Sequence, residues 1–257
     1  MGRLRALRPP CAGENPLGGP IVHFDRTGST NDDARSLAAS GAPAGTVVVA
    51  EEQTAGRGRQ GRTWMAPPGR DLTLSIIVRA GAEALTLLPL TAAVAVCEAC
   101  ERSAPVECAL KWPNDVWIDE RKVAGILIEA RPQEGWAVVG VGLNVDATEE
   151  ELGHDLRESA TSLRIATGRE LARESVLESL LERLAERLAG ERDQLLPAYR
   201  ERDALYGRTI AWIAGTERLE GEARGVDEEG NLVVFTADGE RTALAAGEVH
   251  LIRSQSL

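Results

Sequence analysis

The sequence lacks any apolar run of about 18 residues, so no segment of it is read as crossing a bilayer. It also lacks positive charge: 29 Lys and Arg stand against 40 Asp and Glu, for a net charge of −11. A chain built mainly to grip nucleic acid usually carries the opposite sign. Cysteine is scarce, with four residues. Cys97 and Cys100 form a C-x-x-C, but inside the helix-like stretch LTLLPLTAAVAVCEACERS. A redox pair sits at a helix start after a strand, and a zinc site needs a second pair. Neither condition holds, so Cys11, Cys97, Cys100 and Cys108 are read as packing residues in a reducing cytosol. Residues 1–20, rich in Pro, Gly and Arg, lack the apolar h-region of a secretory signal and are expected to form a flexible tail.

What is present suffices for a globular fold: 43% of residues are apolar and 27% charged. Short strands are expected at 21–25, 46–50 and 71–78, with a helix between the first two that opens at Ser29 or Thr30 and closes at Gly41. A mostly apolar helix is expected over 85–102. Four strand-like runs follow, at 107–112, 115–119, 122–130 and 136–145, joined by short turns. Consecutive strands with helices elsewhere point to an α+β fold with a mixed, largely antiparallel sheet. Residues 170–205 are read as helical. Beyond Gly207 five short strands with Gly-rich turns suggest a β-barrel of about 50 residues. The expected division is therefore a tail at 1–20, a large domain at 21–205 and a small one at 206–257.

One stretch invites a familiar misreading. EEQTAGRGRQGRTW, Glu51 to Trp64, contains Gly56-x-Gly58-x-x-Gly61, the spacing of a dinucleotide fingerprint. A true fingerprint opens a helix. Here Gly61 is followed by RTWMAPPGRDL, where Pro67, Pro68 and Gly69 forbid one. What remains is a glycine-rich loop with Arg57, Arg59, Arg62 and Arg70, which can be a phosphate-binding loop or a solvated turn. Arginine offers a forked donor that suits phosphate oxygens. With no counter-anion these arginines repel one another, so the loop is expected to open when empty and to close over an anionic ligand.

Three further segments bear on the choice. KWPND, Lys111 to Asp115, places opposite charges around a turn at a strand end. KVAGILIE opens on Lys122, and simple alternation puts Lys122, Ala124 and Ile126 on one face. GVGLN, Gly140 to Asn144, thins the side chains in a strand, as expected where a ligand lies against backbone.

In order and spacing these segments resemble the biotin protein ligases, and STNDDA matches that family's early Ser-Thr-Asn element. The likeness runs over about residues 21–253. It implies a catalytic domain like that of class II aminoacyl-tRNA synthetases, followed by an SH3-like barrel. It implies two-step chemistry: biotin and ATP give biotinyl-5′-AMP, and a lysine of a biotin carboxyl carrier protein then takes the biotin. Magnesium would accompany the ATP. By this resemblance Ser29, Thr30, Asn31 and Gln53 line the biotin site and bond its ureido ring. Gly58, Gly125, Gly140 and Gly142 let ligand approach the backbone. Arg57, Arg59 and Lys122 serve the carboxylate and the α-phosphate. Lys111, Asn114, Asn144 and Trp64 belong to the adenylate end. Asp115 has two candidate roles, orienting the acceptor lysine or holding the metal.

Two alternatives stand beside this reading. A lipoate ligase shares the fold, but its own glycine-rich, histidine-containing pattern is not found here. A repressor that senses biotinyl-AMP would need a DNA-binding module of about 60 residues before the core. Only Pro/Gly-rich residues 1–20 precede it in this sequence, so the expectation is a monofunctional ligase with no DNA partner. Monomer and homodimer are both left open.

Overall fold

A computed structural model describes residues 15–252. Cys11 and most of the expected tail lie outside these residues, as do 253–257. Among the described residues, no helix is long and apolar enough to cross a membrane.

The chain opens with β1 (Ile21–Phe24), α1 (Thr30–Ala39) and β2 (Val47–Ala50). Asp32 and Asp33 occupy the first turn of α1, where the helix dipole favours acids. Gly41, at φ +91°, turns the chain away beyond its end. β3 (Leu72–Arg79) follows the arginine segment, which holds only a short 3-10 turn at Arg59–Gly61 and no helix. α2 (Ala82–Thr86) and α3 (Leu88–Ser103) divide the single helix expected over 85–102. Then come β4 (Ala109–Lys111), β5 (Asp115–Ile118), β6 (Arg121–Arg131) and β7 (Trp136–Leu143). Asp119 and Glu120 both take positive φ, 50° and 59°, which is the two-residue hairpin geometry that suits strand twist.

These strands form one seven-stranded sheet in the order β1-β2-β3-β7-β6-β5-β4. Only β1 and β2 run parallel. The expected mixed, largely antiparallel sheet is therefore present. After it come α4 (Glu149–Leu152), α5 (Leu163–Thr167), α6 (Arg173–Ala189) and α7 (Arg192–Arg200). The helical stretch expected over 170–205 breaks at Gly190. β8 (Thr209–Ala214), β9 (Glu217–Val226), β10 (Leu232–Phe235), β11 (Arg241–Leu244) and β12 (Val249–Leu251) make the small all-antiparallel sheet, in the order β11-β10-β9-β8-β12.

The large sheet buries its two faces differently. Leu72, Leu74 and Ile76 of β3 join Val139 and Val141 of β7 in the main core beneath α3 and α6. On the other face, Ala34 and Ala38 of α1 join Val48, Ile77, Trp136 and Val138 in a smaller cluster, flanked by Val22, Phe24, Leu37 and Ala42. Further along, the same face of β7 continues as Gly140 and Gly142, and β6 sets Leu127 and Gly125 opposite them. The uncovered half of this face is the floor of the site. The thiols of Cys97, Cys100 and Cys108 are free and buried in the main core, as packing residues are.

Candidate active site

A bulge decides which residues of β6 face the cleft. Asp115 pairs with Gly125 and Val116 with Ala124, but Trp117 pairs with Lys122, so Val123 is the extra residue. Simple alternation had placed Lys122 with Ala124 and Ile126. The bulge instead moves Lys122 to the face of Gly125. Ala124 and Ile126 turn into the core, 0% and 2% exposed. A Cβ on Gly125 would lie 3.0 Å from Lys122 Nζ and 3.0 Å from Trp64.

One end of the cleft is a fixed polar network. Gln53 Oε1 accepts from Thr30 N at 2.8 Å and lies 3.1 Å from Thr30 Oγ1. The loop amide thus caps α1, and the Ser29 side chain, buried and lining the cleft, makes no capping bond. Ser75 Oγ sits 2.7 Å from Thr30 Oγ1 and 2.6 Å from Asn31 Oδ1. Asn31 Oδ1 can only accept, so the single Ser75 proton serves it. Asn31 Nδ2 donates to Glu129 at 2.7 Å. Gly140 makes room for this amide: a Cβ there would lie 2.2 Å from Asn31 Oδ1.

The other end is cationic. Lys122 Nζ pairs with Asp115 at 2.6 Å and lies 5.5 Å from the Trp64 ring centre. Lys111 stands over Trp117 at 5.3 Å, and burial pushes its pKa down. Arg59 donates to Asn114 Oδ1 at 3.3 Å and to Gly247 O at 3.4 Å; burial lowers its pKa. Arg62 pairs with Glu248 of the small domain. Arg57 grips Asp32 with both terminal nitrogens, each at 2.7 Å. The expected repulsion within the loop is therefore offset by carboxylates the fold itself supplies. Trp64 lies across the floor: a Cβ on Gly142 would meet its indole at 2.2 Å.

The arrangement matches known proteins in both parts. Residues 23–146 match the Biotin/lipoate A/B protein ligase family, and 206–251 match the Biotin protein ligase C terminal domain. The chain is 38% identical to the biotin--[acetyl-CoA-carboxylase] ligase of Mycobacterium tuberculosis, covering 89% of this chain and 87% of that one. It is 35% identical to the enzyme of the same name from Paracoccus denitrificans, covering 87% of this chain and 97% of that one. The chain belongs to the biotin protein ligase family. Its fold is similar to that of the biotin protein ligase from Aquifex aeolicus in complex with biotin and ATP. The TM-score is 0.77 at 28% identity, over 91% of this chain and 99% of that one.

As expected for this family, the small C-terminal sheet is SH3-like. The cleft brings together Ser29, Thr30, Asn31 and Gln53 with Arg57, Gly58, Arg59 and Trp64. Lys111, Asn114, Asp115 and Lys122 close it on the far side, over Gly125, Gly140 and Gly142. Asn144 is the exception. It is 4% exposed, lies outside the cleft lining, and donates its amide to Thr161 O at 2.9 Å. Its position just past the end of β7 puts it under the neighbouring loop instead. Sequence reasoning missed Ser75, Asp32, Glu129 and the Gly247–Glu248 turn. Ser75 did carry a signal: with Thr73 it is one of two buried hydroxyls in the otherwise apolar run LTLSIIV, and a buried polar residue is the informative kind.

Proposed function

We propose that this protein activates biotin with ATP to biotinyl-5′-AMP and then transfers the biotinyl group to a lysine of a biotin carboxyl carrier protein. The observation that carries this reading is the single cleft that joins a fixed amide-and-hydroxyl end to a cationic end through Lys122. A ureido ring has one acceptor and two donors, which suits Ser29, Thr30, Asn31 and Gln53. The dithiolane of lipoate has no such groups, which favours biotin within this family. The free cysteines suit a reducing cytoplasm.

In the first step a biotin carboxylate oxygen bonds to the α-phosphorus and the bond to the bridging oxygen breaks, releasing pyrophosphate. Charge shifts among phosphate oxygens, so the step needs position and cations more than acid–base groups. Lys122 reaches the carboxylate and the α-phosphate from the floor, and Arg57 and Arg59 reach them from the loop. Lys111 and Asn114 stand at the nucleotide end. In the second step the acceptor amine attacks the acyl carbon, loses a proton and displaces AMP. Asp115, beside Lys122, is placed to orient that amine.

Among the described residues, no group of three His, Cys, Asp or Glu could hold a metal. One carboxylate in the cleft nevertheless fits the way magnesium binds, through one or two carboxylates and substrate phosphates. Asp115 would hold such an ion, which supplies charge neutralisation on the phosphates. The reaction is tested with ATP, labelled pyrophosphate and either biotin or lipoate. Exchange with biotin alone, and label transfer from biotin to a carrier domain, is the expected result. Exchange with lipoate alone overturns the assignment.

A further inference from the structure

Arg57 is the cation of the loop most firmly held by the catalytic domain itself. Both its terminal nitrogens bond Asp32 at 2.7 Å, and one also lies 3.5 Å from Glu129. The two carboxylates have a second guanidinium in reach. Arg35 NH1 is 3.3 Å from Asp32 and 3.2 Å from Glu129. Two carboxylates and two guanidinium groups thus form a neutral quartet at the mouth of the cleft. Glu129 also fixes Asn31, which donates to the same carboxylate oxygen that Arg57 approaches.

We infer that Asp32 and Glu129 are positioning residues that hold Arg57 in reserve while the site is empty and yield it to the anionic group of the incoming ligand. The inference rests on the ligase reading, which supplies that anion. The forked face of a guanidinium that Asp32 occupies cannot hold a phosphate bidentately at the same time. Exchange is cheap because Asp32 is not left alone. Arg35 already touches it, and the first turn of α1 favours a negative charge there. Asp32 therefore competes with the ligand for Arg57. This competition has a direction that a purely structural role does not share: removing the competitor should improve binding.

Asp32→Asn and Asp32→Ala test this, with Asn keeping some hydrogen bonding and Ala keeping none. The side chain of Asp32 is 48% exposed, so neither change disturbs a core. With saturating biotin, the KM for ATP in pyrophosphate release should fall about two- to fivefold at unchanged kcat, the range an exposed ion pair accounts for. In the empty protein, trypsin should cut after Arg57 several-fold faster, because the loop has lost its tether. An unchanged or raised KM for ATP in both variants, at unchanged melting temperature, overturns the inference. So does an unchanged cleavage rate in the empty protein. If the wild-type protein releases no pyrophosphate from biotin and ATP, the ligase reading fails by itself, and the cleavage rates still decide whether Asp32 tethers the loop.

Discussion

Gly140 and Gly142 stand two positions apart on one face of β7, and a Cβ on either would strike a neighbour at 2.2 Å. The neighbours differ in kind. Above Gly140 lies Asn31, held on one side by Ser75 and on the other by Glu129. Above Gly142 lies Trp64, whose indole N–H is buried with no partner. Its backbone is tied to Gly56 within the loop, and its ring has only stacking and the Lys122 cation to keep it in place. One end of the cleft is thus built in advance, and the other is assembled provisionally. That difference suits a two-substrate site. The neutral ring of biotin can be met by fixed hydrogen bonds, whereas the charge of a triphosphate needs cations that must be kept satisfied until it comes.

Lys122 sits where the two ends meet, and its loss should have the largest effect. Lys122→Ala should slow adenylate formation by about 10²–10³-fold, the scale for removing one preorganised group that meets developing charge. The lysine is part-exposed and its partner Asp115 stays in the open cleft, so the melting temperature should hold. Near-normal pyrophosphate exchange in the variant would remove Lys122 from the mechanism.

Asp71, just before β3, ties the chain that leaves β7 to the sheet. Its Oδ1 accepts from Val145 N at 2.8 Å and Ala147 N at 3.3 Å, while Oδ2 is buried without a partner. Burial, only partly offset by these backbone bonds, raises its pKa to about 6. A carboxyl is usually half-ionised near pH 3.9, so the fold favours the neutral form. Its contribution is complete below about pH 4 and is lost as pH rises through about 6. A gap of about two pKa units amounts to at most about 3 kcal/mol. Urea unfolding of wild type and Asp71→Asn should therefore shift in favour of the variant by up to that amount between pH 4 and pH 7. A difference that does not change with pH would mean that Asp71 is not buried as a costly anion.

The sequence disclosed the parts of this design that depend on local pattern. Pro67, Pro68 and Gly69 ruled out a helix after Gly61, and the segment holds only a 3-10 turn. The strands of both sheets followed from short strand-like runs bounded by turn residues, Gly-rich ones in the small domain. What alternation could not reveal was a single inserted residue: the bulge at Val123 reverses which neighbours share a face with Lys122. Nor could it reveal partners brought from far along the chain. Asp32 and Glu129 look like solvated acids in the sequence, and Glu248 lies in another domain, yet each meets an arginine of the loop. Helix breaks at Leu87 and Gly190 were missed for the opposite reason, since apolar periodicity continues across both. Asn144 shows the limit of motif matching: its place in GVGLN is right, but its amide is engaged by Thr161.

A smaller effect is expected from filling the space under the fixed end. Gly140→Ala needs no unusual backbone angle, only room, and Asn31 cannot move without breaking a bond to Ser75 or Glu129. Overpacking of this kind costs about 1–3 kcal/mol. The KM for biotin should rise about ten- to hundredfold, with the KM for ATP little changed. Titration calorimetry with biotin alone checks this without any need for turnover. Biotin binding that matches wild type would show that the Asn31 network is not fixed.

The matching change under the provisional end should be milder and should read out elsewhere. In Gly142→Ala the new methyl displaces Trp64. The indole breaks no hydrogen bond when it leaves, because its N–H has none. What is lost is stacking on the floor and the contact with Lys122, worth about 0.5–1 kcal/mol at a part-exposed site. The ATP KM should rise by no more than about fivefold, and biotin affinity should stay near wild type. The loop itself should report the change more directly. When opening is fast relative to cutting, cleavage follows the population of the open form. Trypsin should then cut after Arg57, Arg59 or Arg62 faster in the variant, and biotin with ATP should restore less protection than in wild type. If Gly142→Ala impaired biotin binding as severely as Gly140→Ala and left the cleavage rate unchanged, Trp64 would have to be as firmly held as Asn31. The two halves of the cleft would then be one rigid site, and the loop would not be its moving part.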